Sequence, residues 1–251
     1  MDKNTNSINP LISIITVTYN SEKYLEGTIK SIVSQSCDNI EYIIIDGGST
    51  DKTIEIINNN LDTISYWTSE PDEGIYDAMN KGIEVANGEI IGIINSDDWL
   101  EPDALENVLK ISENITDDQF LIHGNIATID KNGNFVGNRY PKKFPLYHLF
   151  STPFKHPATF VSRSVYENIG LYAEDCGLAA DYDFMLRVIN NRIKTIHLDK
   201  VLTNVRLVGI STGGKQNASF KQLFSIIKNN TNVFLASLGI LGRYINKKIS
   251  K

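Results

Sequence analysis

An α/β fold built on a mainly parallel central sheet is predicted by three observations. Strand-like apolar runs alternate with stretches of helical periodicity from Leu11 to Leu100. The strand candidates are rich in β-branched residues and apolar on both faces, as in Gly88–Leu100, GEIIGIINSDDWL; such runs belong to strands covered by helices on both sides. The connections between them are short, which favours right-handed βαβ crossovers.

Taken in order, Leu11–Thr18 (LISIITVT) reads as the first buried strand, after a polar lead-in, Met1–Pro10. A helix follows to about Gln35, with Leu25, Ile29, Ile32 and Val33 at helical spacing and Ser21 as its N-cap. Ile40–Ile45 is the second strand. It runs into the glycine-bearing loop Asp46–Asp51 and a helix over Lys52–Asn59. Ile64–Ser69 is a short strand, Gly74–Ala86 a helix, and the Ile90–Ile94 run the next strand. The rhythm then changes. A helix over Asp103–Asn114 leads to a hairpin, Phe120–Asp130 with Asn134–Asn138, turning at Lys131-Asn132-Gly133. Pro141–Pro157 is loop-rich. Ala158–Ser162 is a strand, and Ser164–Gly170 and Ala180–Asn190 are helices. Thr195–Asn204 and Arg206–Gly209 hold one or two strands, and Ser219–Lys251 is helical.

The chain of 251 residues suits one domain, or one domain with an extension. A net charge of −6 argues against a nucleic-acid surface as its main business. Cys37 and Cys176 have no motif spacing and read as reduced thiols of a cytosolic protein. The lead-in lacks the apolar core of a signal peptide, and no apolar run is long enough to span a bilayer.

Chemistry concentrates at the carboxyl ends of the strands, where open α/β sheets bind ligands. The Ile90–Ile94 strand ends in Asn95-Ser96-Asp97-Asp98. Two adjacent carboxylates repel unless a cation or a donor-rich ligand compensates them, and a divalent metal carrying a diphosphate is a natural compensator. The plainer alternative is that Asp97 caps a helix starting at Trp99 and Asp98 is solvated. Thr18-Tyr19-Asn20 after the first strand, Asp46 with Asp51 after the second, and Asp181 with Asp183 at the start of a helix complete the set. Asp46 and Asp51 would otherwise shape a turn, and Asp181 would otherwise be a helix-start acid favoured by the dipole. A crevice lined this way suits a ligand with amide donors, ribose hydroxyls and a metal-bound diphosphate.

With these segments in order, the chain resembles the family 2 glycosyltransferases of the GT-A fold. The resemblance is carried by ISIITVTYNSEKYLEGTIKSIVSQ, IEYIIIDGGSTDKT and GIYDAMNKGIEVANGEIIGIINSDDWLEPDAL, then by HPATF, AADYDFMLR and VRLVGIST, and covers about residues 11–212. GIYDAMNKGI together with HPATF and AADYDF is most similar to bacterial enzymes that build surface polysaccharides. The resemblance implies a Rossmann-like sheet flanked by helices over 1–214, with a nucleotide-sugar part at about 11–100 and an acceptor part at about 101–214. It implies inverting transfer from a nucleotide-diphosphate sugar, a UDP-sugar before others, to a hydroxyl of a glycan or lipid-linked acceptor, with Mn²⁺ or Mg²⁺ as cofactor.

By the same resemblance, Thr18, Tyr19 and Asn20 contact the nucleotide and Asp46 accepts a base N–H. Asp97 lies nearer the ribose, Asp98 binds the metal and Asp181 is the catalytic base, with Asp183 as the alternative. Met79 stands where many relatives carry Arg, so that contact is absent or supplied by Lys81. His156 either lines the acceptor site or is a satisfied loop histidine. Arg206 either contacts the diphosphate or pairs with a local acid.

Acids at strand ends also admit three rival readings. A dinucleotide-binding oxidoreductase needs a G-x-G-x-x-G turn after the first strand, and Thr18–Lys23 has none. A receiver-like switch domain leaves the long second half and Asp181-Tyr182-Asp183 unexplained. A nucleotide-sugar-binding protein without turnover stays open.

The tail is separate in character. From Lys215 to Lys251 there is no acid, while Lys215, Lys221, Lys228, Arg243, Lys247, Lys248 and Lys251 are basic and interleaved with apolar residues. A basic amphipathic tail over 215–251 is expected, either resting on the anionic inner face of the membrane or packing on the catalytic body.

Overall fold

The computed structural model describes residues 12–37, 39–141, 152, 154–207, 218–231 and 234–241. The first half alternates as the periodicity requires: β1 (Ile12–Thr18), α1 (Leu25–Val33), β2 (Ile40–Asp46), α2 (Thr53–Asn58), β3 (Tyr66–Ser69), α3 (Ile75–Val85) and β4 (Ile90–Asn95). The second half follows with β5 (Trp99–Leu100), α4 (Ala104–Ser112), β6 (Phe120–Ile129), β7 (Phe135–Arg139), β8 (Thr159–Ser162), α5 (Arg163–Ile169), α6 (Ala180–Asn190), β9 (Lys194–Arg206) and α7 (Phe220–Asn230). Short 3₁₀ turns at His156–Ala158 and Glu174–Ala179 precede β8 and α6, and residues 234–241 form a further helix, α8.

All the described strands join one nine-stranded sheet, ordered β3-β2-β1-β4-β8-β6-β9-β5, with β7 paired to β6. The expectation of a mainly parallel sheet holds for one half of it. β3, β2, β1 and β4 run parallel, whereas β8 is antiparallel to β4 and β6, and β5 is antiparallel to β9. The sheet is therefore mixed. Parallel strands need crossover helices, and these are found only before β4 and between β6 and β9, a parallel pair.

Period-two alternation divides the apolar side chains between two cores. Ile15, Val17, Ile43, Ile45, Ile91 and Ile93 face α3, α5 and α6 through Met79, Ile83, Val165, Phe184 and Met185. Ile12, Ile14, Ile44, Ile90 and Ile94 face α1, α2 and α4 through Leu25, Ile29, Ile32, Ile57, Leu105 and Val108. Met79 is buried in the first of these cores.

Two local expectations are overturned by long-range contacts. Ser21 does not cap α1 with its side chain: the helix starts at Leu25, and the Ser21 hydroxyl reaches Ser96 at 2.7 Å. Trp99-Leu100 is not a helix start but a two-residue strand opposite Asn204 and Thr203, anchored further by Glu101 N–H to the Leu202 carbonyl. In both cases a partner distant in sequence claims the group that local propensity would use. β9 is one continuous strand; the end of the expected Arg206–Gly209 strand lies outside the described residues.

The tail packs on the body. Ile226 and Ile227 of α7 and Ala236 of α8 are buried against Ala179, Tyr182 and Leu186. Asn230 Nδ2 donates to Asp183 Oδ1 at 2.9 Å, and Ser219 and Gln222 form a capping box at the start of α7. Among the described residues no helix is long and apolar enough to cross a membrane. Residues 242–251, with their four basic side chains, lie outside the described residues.

Gly92 is the tightest point of the central strand. A Cβ there would stand 2.7 and 2.8 Å from two ring carbons of Phe160. Gly92→Ala is expected to destabilise the protein by about 1–3 kcal/mol through overpacking, read as a lower urea midpoint at unchanged slope.

Candidate active site

The parallel register lines the strand ends up as a ledge. Thr18 stands beside Asp46, Asp46 beside Ser69, and Val17 beside Asn95. The loop after β1 is tied to the loop after β2 by Asn20, whose N–H donates to Ser49 Oγ at 2.7 Å and whose Oδ1 accepts from Thr50 N–H at 2.9 Å. Asn20 has φ 48°, a left-handed conformation that Asn tolerates better than most residues. Tyr19 beside it is exposed, and Thr18 Oγ1 is buried with no hydrogen-bond partner. Asp46 is buried, and its carboxylate accepts from Gly48 N–H, Ser49 N–H, the Ser49 hydroxyl and the Ser69 hydroxyl. It shapes the loop first; one lone pair on Oδ1 is left for a further donor.

The acid pair is asymmetric. Asp98 is 1% exposed. Its Oδ1 accepts from the Arg206 N–H at 3.0 Å and its Oδ2 from Asn95 Nδ2 at 3.1 Å. The Thr28 hydroxyl, on α1, reaches the carbonyls of Ser96 and Asp98 at 2.9 and 2.7 Å and fixes the turn between them. Burial pushes the Asp98 carboxyl up to about 8, and the charge of Asp97 adds to the rise. Asp97 is half-buried; burial raises its pKa as well, while the Arg206 guanidinium works against the rise. That guanidinium lies between two rings, 4.6 Å from the Tyr24 centroid and 4.9 Å from that of Trp99. Arg206 is thus a partner of the acid pair, with its Nε buried and unpaired.

These residues fit a divalent cation. Asn95 Oδ1 is a third buried polar atom without a partner, two residues before the half-buried Asp97 carboxylate. Hard oxygen donors next to uncompensated negative charge suit Mg²⁺ or Mn²⁺. Among the described residues no group of three or more His, Cys, Asp and Glu could hold a metal, so these residues offer only part of a coordination shell. That is the usual arrangement where substrate phosphates complete it.

A further carboxylate lies on a helix of the second half of the chain. Asp181, in the first turn of α6, accepts its neighbour Tyr182's N–H at 2.7 Å, and the Tyr76 hydroxyl stands nearby. Burial raises its pKa; those two donors and the charge of Lys155 pull it back. The rings of Tyr76, His156 and Phe184 surround Tyr172 at 5.4, 5.9 and 5.0 Å. Burial pushes His156 down to about 4, so it is neutral at pH 7. Two expected site residues are held elsewhere. Asp183 is tied to Arg187 at 2.8 Å and to Asn230, and Lys81 pairs with Glu70 at 3.0 Å and Asp77 at 3.2 Å.

The sequence model described as Glycosyl transferase family 2 matches residues 13–170, more than half of the chain. The chain belongs to that family. It is 35% identical over 188 residues to a PGL/p-HBAD biosynthesis glycosyltransferase of Mycobacterium tuberculosis, covering 72% of this chain and 71% of the relative. It is 43% identical over 130 residues to an uncharacterised glycosyltransferase of Haemophilus influenzae, a match that spans 51% of each protein. Among solved structures, S. aureus TarS 1-349 with UDP-GlcNAc aligns with a TM-score of 0.72 at 19% identity, covering 96% of this chain and 73% of TarS 1-349. The mannosyltransferase PcManGT of Pyrobaculum calidifontis, with GDP-Man and Mn²⁺, aligns at 0.63 and 18% identity, covering 93% of this chain and 74% of its own. At these identities the structural likeness speaks for the GT-A fold.

Within this family 2 glycosyltransferase, sequence reading passed over Asn95, Tyr76, Asn80 and Thr28. Asn95 was visible beside the acid pair, and Tyr76 and Asn80 lie in the GIYDAMNKGI segment; what they touch was not. The two acids should separate experimentally. Asp98→Ala leaves the Arg206 N–H and Asn95 Nδ2 unpaired and buried, and is expected to cost about 3 kcal/mol of folding stability. Asp97→Ala removes a charge that repels Asp98, so its stability should be unchanged or raised. Denaturant unfolding of both variants checks the difference.

Proposed function

We propose that the chain is an inverting glycosyltransferase that moves a sugar from a nucleotide-diphosphate sugar, a UDP-sugar before others, to a hydroxyl of a glycan or lipid-linked acceptor in bacterial surface-polysaccharide synthesis. The observation that carries this reading is the buried acid pair at the carboxyl end of the parallel strands, together with one other half-buried carboxylate, Asp181, set among aromatic rings. The neighbours support the donor class: TarS is seen with UDP-GlcNAc and PcManGT with GDP-Man and Mn²⁺. They differ in the base.

In this reading the nucleotide lies across the ledge formed by Thr18, Tyr19 and Asn20, with the unpaired Thr18 hydroxyl and the free lone pair of Asp46 as its polar contacts. Asp97 and Asn95 Oδ1 would hold the cation, and Asp98 acts from behind by holding Arg206 and Asn95 in place. The resemblance put the metal on Asp98 and Asp97 nearer the ribose; this reading prefers the more open Asp97 for the metal, since each Asp98 oxygen already accepts one hydrogen bond inside the fold. When bound, Mg²⁺ or Mn²⁺ would supply Lewis-acid stabilisation of the leaving diphosphate. Arg206 contributes positive charge from the stacked position. Asp181 takes the proton of the acceptor hydroxyl as that oxygen attacks the anomeric carbon from the face opposite the leaving group. One base with direct displacement inverts configuration. The base must be ionised, and the donors from Tyr182 and Tyr76 favour that form.

Asp181→Asn is expected to abolish transfer while donor affinity stays within a few-fold. Calorimetry with UDP- and GDP-sugars, with Mn²⁺ or with EDTA, together with product analysis on a glycan acceptor, checks both halves. Turnover by Asp181→Asn, or full turnover in excess EDTA, would remove the base or the metal from this account.

Contact with an anionic membrane belongs to the same proposal, since a lipid-linked acceptor is presented there. Part of the apolar tail surface is already covered: Leu223, Phe224, Ile226 and Ile227 pack toward α6. On α8, however, Phe234, Leu238 and Leu241 remain 71%, 39% and 55% exposed at spacings of four and three, so they share one face. Lys221 and Lys228 on α7 are exposed too. Flotation with anionic vesicles should capture the protein, and added salt or Phe234→Ser with Leu238→Ser should release it. Protein left in solution with anionic and neutral vesicles alike would refute the contact.

A further inference from the structure

We infer that Tyr24 and Trp99 are positioning residues for Arg206: their rings hold its guanidinium beside the acid pair, ready for the diphosphate of the donor. The inference deepens the reading of the donor as a nucleotide-diphosphate sugar and rests on it.

Three places distant in sequence meet here. Trp99 comes from β5, Arg206 from the end of β9, and Tyr24 from the position just before α1. The guanidinium carbon lies over both rings, 4.6 Å from the Tyr24 centroid and 4.9 Å from the Trp99 centroid. Both distances are within the range over which an aromatic face attracts a cation. Arg206 Nε is buried and makes no hydrogen bond, so no polar partner fixes that atom.

Both rings are anchored to the turn that carries the acids. Trp99 follows Asp98 directly and pairs with Asn204 between β5 and β9. Asn204 Nδ2 reinforces that pairing by donating to Glu101 Oε1 at 2.6 Å, and Glu101 N–H does so by donating to the Leu202 carbonyl at 2.9 Å. Tyr24 lies one helical turn before Thr28, whose N–H donates to the Tyr24 carbonyl at 3.3 Å. The Thr28 hydroxyl in turn holds the carbonyls of Ser96 and Asp98. Arg206 joins the same turn through its N–H, which donates to Asp98 Oδ1 at 3.0 Å. The contacts that fix the Asp97-Asp98 turn therefore also fix both rings and the backbone of the arginine.

An arginine side chain has several rotatable bonds, and ordering it on binding costs conformational entropy. Aromatic faces on either side of a planar guanidinium remove that freedom in advance and leave its N–H edge for oxygens. In the proposed donor, the diphosphate is the group that presents charged oxygens to such an edge. The Lys23 ammonium lies 5.0 Å from the centroid of the same Tyr24 ring, so a second cation stands at this border of the site. Arg206→Lys would keep the charge but lose the plane and the fork.

The test is calorimetry in EDTA, where no metal ion masks the arginine, with UDP against UMP and GDP against GMP. The parent should prefer one diphosphate to its monophosphate. Trp99→Leu and Arg206→Lys, with melting temperatures checked, should each bind that diphosphate roughly three- to thirtyfold more weakly and the monophosphate within about twofold of the parent. Combining the two changes should weaken binding little further, because both remove one interaction. Tyr24→Phe and Trp99→Phe keep a ring and should retain most of the affinity. Since Tyr24 also meets Lys23, Trp99→Leu decides. Equal losses for diphosphate and monophosphate would overturn the inference and leave the rings structural. So would losses that add fully in the double variant, or parent-like diphosphate affinity in folded Trp99→Leu. A parent that shows no preference for a diphosphate in EDTA, or binds one only with Mn²⁺, would overturn it too. A parent that binds neither UDP nor GDP under either condition would show that the reading of the donor itself has failed.

Discussion

Two carboxylates on adjacent residues, one of them almost completely buried, are the constraint around which the rest is arranged. A buried carboxyl group needs hydrogen-bond partners, and Asp98 collects them from three parts of the chain: its own strand end through Asn95, β9 through Arg206, and indirectly α1, where Thr28 holds the turn. Each was placed by a different element, so the acid pair is also the point where those elements are locked together. Breaking one of these bonds leaves a polar group without water, which is why such networks resist piecemeal change.

That lock explains the second half of the sheet. β5 is only two residues long and would not persist alone. It exists because Trp99 and Leu100 pair with β9, and that pairing brings Arg206 back over the acid pair between Tyr24 and Trp99. The chain thus travels through β6, β8 and α6 before it returns to neutralise a site built in its first hundred residues. The polar cluster around the acid pair is therefore formed by both halves of the chain.

The tail fits the same logic. α7 and α8 bury part of their apolar surface on α6, and Asn230 satisfies Asp183, which shares the first turn of α6 with Asp181. Packing of the tail therefore bears on the site as well as on stability, while the uncovered face of α8 leaves room for a second surface.

What the sequence determined by itself was whatever depends on neighbours within a few residues. Period-two and period-3.6 apolar patterns placed the strands and helices from Ile12 to Asn95, and the ordered segments around Asp46, Asp97-Asp98 and Asp181 pointed to the family. What only the tertiary structure decided was the use of each polar group, because a hydrogen bond between residues seventy or a hundred positions apart leaves no local periodic trace. Ser21 turned from helix cap to partner of Ser96. Asp98 went inside with Arg206, and Asp97 was left the more open acid. Asp183 and Lys81 were drawn into ion pairs, and Tyr76 was brought to Asp181. The carboxylates could be counted along the chain; which of them stays free for a ligand depends on which donors the fold brings within about 3 Å.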